Sequence, residues 1–142
     1  MGQATPYGTY RQTQVGTANQ VRLIIMLHDG VIRFLHQTLV AMKKKDYFNQ
    51  SASLNKALDV IFHLWGSLNV DENDEIAKNL RQLFKYMHTR LVQANVDDNP
   101  LPIEEAIDYF RTLREAWAQV DILNHSASVM STEEVKELSK AA

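Results

Sequence analysis

Between Leu23 and Leu35 the chain reads Leu-Ile-Ile-Met-Leu-His-Asp-Gly-Val-Ile-Arg-Phe-Leu, which is more apolar surface than one buried helix seam requires. Ile24, His28, Val31 and Leu35 fall in one stripe at helical spacing, continued by Leu39 and Met42. Leu23, Leu27, Gly30 and Phe34 form a second stripe beside it. A helix that faces one core normally shows one such stripe, with polar residues opposite. Two stripes therefore predict either a central helix packed on two sides or a core helix that also offers a docking surface. Gly30 sharpens the choice. A mid-helix glycine costs about 1 kcal/mol relative to alanine, and close approach by another helix or chain is its usual compensation. The plainer expectation is a neighbouring bundle helix lying close against it.

The rest of the chain supplies such neighbours. Residues 1–18 are rich in Gly, Thr and Gln and contain Pro6, so an extended or mobile N-terminal arm is expected there. Tyr7, Tyr10 and Val15 are apolar or aromatic anchors within it, placed either to tuck back onto the domain or to meet a partner. The first helix is expected to start near Thr17 to Asn19 and to end near Lys44, with a short connection over residues 46–49. In the second, Leu54, Leu58, Ile61, Trp65 and Leu68 make a heptad-like stripe. The third carries Ile76, Leu80, Leu83, Met87, Leu91 and Ala94, widened by Phe84 and Val92. Pro102 suits the first turn of a fourth helix bearing Ile103, Ala106, Phe110, Leu113, Trp117 and Val120. Beyond Asp121 the pattern fades. No alternating strand pattern occurs, so the fold class is all-α: an antiparallel up-down four-helix bundle over residues 19–120, with an extended N-terminal arm and a mobile C-terminal tail, 121–142, holding at most a short helix.

Composition excludes several functions. The formal charge is −2, and Lys43-Lys44-Lys45, the only basic run, falls where cations complement a helix C-terminus. Nothing there calls for nucleic acid. The chain has no cysteine, which removes disulfides, thiolate metal sites and a cysteine nucleophile, and suits a reducing cytosol. No signal-peptide pattern opens it and no uninterrupted apolar run reaches about 18 residues, so neither secretion nor direct membrane insertion is expected. A di-metal bundle enzyme needs Glu-x-x-His on two helices, and no Glu here has His three residues later. Asp59 and His63 share one face, but two ligands do not make a metal centre. No phosphate loop, nucleophile elbow or zinc-protease motif occurs. The reading is of a protein that is no enzyme and needs no cofactor. Its surplus of apolar residues suits a groove for a helix or an extended peptide.

At residue level the chain resembles the FliS family of flagellin-specific export chaperones. The resemblance rests on Tyr7 and Tyr10 in a short arm, Thr17-Ala18 before the first helix, and Leu23 to Leu35, similar to the family's Leu-x-x-Met-Leu-Tyr-Asp-Gly-x-x-x-Phe-Leu. Asn55-Lys56-Ala57, Asn79-Leu80, Leu83-Phe84-x-Tyr86-Met87, Arg90-Leu91-Val92-x-Ala94-Asn95 and Glu115-Ala116-Trp117 continue it. It departs from the family at His28, which stands where Tyr is usual, and beyond Asp121. What the resemblance implies is a cytoplasmic bundle, monomeric or weakly dimeric, that binds the C-terminal segment of new flagellin. It would prevent premature polymerisation and deliver the subunit to the flagellar type III export gate. Client contact is then expected at Met26, Leu27, Gly30 and Phe34, with Leu91 and Ala94 facing them. Tyr7 and Tyr10 would lie in the groove or meet the gate, and Arg90 and Asn95 would make polar contacts. The alternatives are a helical adaptor for another client and a metal-dependent bundle enzyme.

Overall fold

The computed structural model describes the backbone of residues 6–68 and 73–141, and the side chains of 19–68 and 73–125. It is a four-helix bundle: α1 spans Pro6–Lys43, α2 Tyr47–Ser67, α3 Glu75–Asp97 and α4 Leu101–Ala141. The described residues include no strand.

Helix boundaries follow local chemistry in the middle of the chain. Asp46 caps α2, its carboxylate accepting from the Asn49 amide. Asp74 caps α3 by accepting from the amides of Ile76 and Ala77 at 3.0 and 3.2 Å. Each cap satisfies donors that the first helical turn leaves without an intrahelical partner. The α3–α4 connection, residues 98–100, turns on Asp98 in the left-handed region (φ 53°), and its amide bonds back to Ala94. The Asn99 side chain then accepts from the Leu101 amide, and Pro102 sits in the first turn of α4 as anticipated.

Two expectations are corrected. The helical backbone begins at Pro6, so residues 6–18 of the expected extended arm belong to α1; residues 1–5 lie outside the described part. Proline fits a first helical turn, and no proline follows it until Pro100. Each added residue then gains a backbone bond, which outweighs the cost of Gly8 and Gly16. The tail is likewise part of α4 as far as Ala141. From Asp121 onward it lacks glycine and proline, and half of it is made of good helix formers such as Ala, Glu, Leu and Lys, so no stop signal interrupts propagation.

Two compact units emerge, residues 26–114 and residues 1–25 with 115–142. In the second, Arg22 pairs with Asp121 at 3.5 Å, and Val21 is buried. The first unit holds most of the described core. Three cross-helix pairs fix its antiparallel register. Thr38 donates to Ser53 at 3.0 Å between α1 and α2, and Arg90 pairs with Glu105 at 3.1 Å between α3 and α4. Arg111 and His36 meet at 3.1 Å between α4 and α1. Val31 and Leu35 of α1, Leu54, Ala57, Ile61 and Leu64 of α2, Phe84, Met87, Leu91 and Ala94 of α3, and Ile103, Ala106, Ile107 and Phe110 of α4 fill the interior. At its centre the Phe84 and Phe110 rings stack, centroids 6.0 Å apart. His28, 1% exposed, sets its ring edge-on to both, at 6.4 and 5.6 Å. By length and composition Asn19–Lys43 would pass for a membrane span; Val31, Leu35 and Ala41 are interior, while Leu23, Met26 and Val40 are exposed.

Candidate client groove

The helix seams of unit 26–114 differ in what closes them. Between α1 and α4, Asp29 is bonded to Arg114 and His36 to Arg111, so that edge is closed by polar side chains. Between α3 and α4, Arg90 and Glu105 pair, flanked by Tyr86, Tyr109 and Pro102 over almost no free volume. The negative charge of Glu105 is the main reason the Tyr109 phenol titrates above its ordinary value.

The α1/α2 seam is different. Thr38 bonds Ser53 at its inner level, and Lys56 lies over the Phe34 ring. Gly30 and Met26 continue the Phe34 stripe along α1 at four-residue spacing. Met26 is 67% exposed, while Leu27 and Phe34 are half-buried. Flanking atoms shield the Gly30 backbone, yet a Cβ placed there would meet no heavy atom within 4 Å. The expected close approach of a neighbouring helix is therefore absent, and Gly30 leaves a notch. Missing here from the sequence-based expectation were Arg33 and Lys56, whose charges lie 5.1 and 5.8 Å from the Phe34 ring centroid. The signal available was for Arg33 alone, which directly precedes Phe34 of a stripe already marked as surplus.

A second apolar seam follows the α3-facing side of α2. Ser51 accepts from Asn95 of α3, and Leu58, Phe62 and Trp65 continue from it at helical spacing. Leu58 and Trp65 are half-buried, Phe62 is 63% exposed, and its ring meets Trp65 edge-to-face at 6.4 Å.

The other anticipated contacts are placed as follows. Leu91 and Ala94 are core residues with essentially no free surface. Asn95 fastens α3 to α2, accepting from Gln50 at 3.0 Å and donating to Ser51. Arg90 is held by Glu105. The side chains of Tyr7 and Tyr10 lie outside the described ones; their backbone is in α1. Asp59 and His63 are exposed on α2, and no cluster of three potential metal ligands occurs among the described residues. A cavity of about 380 Å³ lies at the other end of this unit, between Leu39, Met42 and Lys43 of α1 and Asp98, Pro100 and Glu104. It mixes charges of both signs.

Exposed and half-buried apolar side chains such as Met26, Leu27 and Phe34 on one helix face suit contact with a helix or peptide. The model of the family described as Flagellar protein FliS matches residues 3–124. The chain belongs to the FliS family. Among curated relatives, the flagellar secretion chaperone FliS of Bacillus subtilis (strain 168) is 32% identical over 114 residues, covering 80% of this chain and 84% of the relative. That of Escherichia coli (strain K12) is 33% identical over 119 residues, covering 79% and 88%. That of Vibrio cholerae is 32% identical over 108 residues, covering 76% and 79%. FliS relatives thus align across most of their own length, and the open seam lies wholly inside the matched region.

Proposed function

We propose that this chain is a cytoplasmic export chaperone that takes the C-terminal segment of flagellin into the α1/α2 seam and continues it along Leu58, Phe62 and Trp65. What carries the reading is the combination of exposed Met26, half-buried Leu27 and Phe34, and the unfilled space at Gly30. A client that is disordered beforehand gains a large contact area by folding on the bundle, while the ordering cost keeps net affinity moderate. Moderate affinity suits release at the flagellar type III export gate. While bound, the client's apolar face is withheld from other subunits. The role is non-enzymatic: binding and covering, with no bond made or broken.

Calorimetric titration against a peptide of the last ~40 residues of the same bacterium's flagellin tests this. Saturable one-to-one binding with a negative heat-capacity change and added helical ellipticity is expected. Met26→Ala and Phe34→Ala should each weaken it. A folded protein with no affinity for that peptide would remove the function and leave the bundle. Groove binding without preference for flagellin would make it an adaptor for another client.

A further inference from the structure

The Phe34 ring is crowded by positive charge. Arg33 reaches it from α1 and Lys56 from α2, both within 6 Å of the same centroid. Each cation gains from the ring's quadrupole, but two like charges gathered there repel. Nearby carboxylates do not relieve them. Asp29, one turn before Arg33, is bonded to Arg114 of α4. Asp59, three residues after Lys56, forms no ion pair with it, and among the described residues no carboxylate pairs with either cation. Both side chains are exposed, so their charge faces whatever enters the seam. One turn back on α1, Gly30 leaves room for a side chain.

We infer that the α1/α2 seam reads a carboxylate: Arg33 and Lys56 together take an Asp or Glu side chain of the docked segment, while an apolar residue one turn away fills the space at Gly30. The inference rests on this seam being the client groove and adds to it the chemistry of one contact. A guanidinium binds carboxylate through two parallel N–H donors, and the ammonium adds a point charge beside it. Phe34 excludes water from one side of the pair and strengthens it. A wholly apolar segment would leave the two cations without a counter-charge. The site therefore selects for register as well as for hydrophobicity, because the carboxylate must arrive at Phe34 when the apolar residue arrives at Gly30.

The test is a cycle of two proteins and two peptides, read by calorimetry at low and at physiological salt. The proteins are wild type and the Arg33→Gln/Lys56→Gln variant, whose changes are on exposed residues and whose fold is checked by circular dichroism. The peptides are the flagellin C-terminal ~40-mer and a copy with each Asp and Glu replaced by Asn and Gln. The acidic peptide should bind the variant about three- to tenfold more weakly than wild type. The amide peptide should lose a similar factor on wild type and nothing further on the variant, and added salt should shrink the difference. Equal affinity of both proteins for the acidic peptide, or equal losses for both peptides, would overturn the inference.

If wild type binds neither peptide, the flagellin reading has failed and the subsite is judged alone. The probes are then 6-phenylhexanoate and its neutral amide, followed by amide chemical shifts across Gly30 to Phe34. Shifts with the carboxylate, weak ones with the amide and none in the variant uphold the carboxylate site. Equal response to the two probes, or no response to either, sinks it.

Discussion

Gly30 sets stability against binding. In a helix interior glycine forfeits about 1 kcal/mol relative to alanine, and here no packed neighbour requires it, since a Cβ would meet nothing within 4 Å. Gly30→Ala should raise the unfolding free energy by up to about 1 kcal/mol, while the added methyl occupies the notch and weakens client binding. Gly66, exposed near the end of α2 with the same open surroundings, is the control. Gly66→Ala should not weaken client binding. Chemical melts paired with calorimetry separate the two effects. Asp46 gives a pH signature. Its hydrogen bonds from the Asn49 side chain and amide hold the carboxyl below its ordinary value of 3.8. A depressed folded-state value means that the cap's contribution is complete above the ordinary value and is lost as pH falls through the folded one. Asp46→Ala should therefore lower the melting temperature at neutral pH, and the gap should close as pH falls through the carboxyl's depressed folded-state value.

Between helices, polar contacts hold α2 to its neighbours. Gln50 is buried and spends its amide donor on Asn95, which in turn donates to Ser51. Asn95→Ala would strand that donor in the interior, and about 1–3 kcal/mol of stability should go with it. Gln50→Leu added to Asn95→Ala should restore part of the loss, as urea melts of the two variants would show. This network also marks a limit of reading α2 from its sequence. An apolar-only pattern gave weight to Leu58 and Trp65, whereas the buried face runs through Gln50, Ser53, Leu54, Ala57, Ile61 and Leu64. Small and polar residues buried inside a bundle carry no hydrophobic signal. Ile76, anticipated in the core, is 73% exposed, because α3 turns Ala77 and not Ile76 inward. In α4, Ile103, Ala106 and Phe110 are buried as their spacing indicated. The helical state of residues 6–18 and 121–141 was invisible because turn-forming residues were weighed locally. Nothing in those segments stops a helix already under way.

Across the whole molecule, the bundle was legible because helical periodicity and short connections leave few other arrangements. The proposed groove was legible only in part. Met26 and Phe34 stood out as surplus, but Leu91 and Ala94 show that helical spacing alone does not distinguish an interior side chain from one facing a groove. The interior is interlocked at Phe84, His28 and Phe110. Phe110→Ala should cost about 3–5 kcal/mol, enough to threaten a domain of ordinary stability, and calorimetric melting would record it.

The polar closure of the α1/α4 edge has a practical corollary. Because the chain contains no thiol, paired cysteines at positions 36 and 111 can be bridged by a bifunctional maleimide without side reaction. If the client enters between α1 and α2, that staple should leave its capture intact. A staple across Gly30 and the facing turn of α2 should abolish it. The edge bonded by His36 and Arg111 is then a hinge-side that can be welded, and the opposite edge is the door.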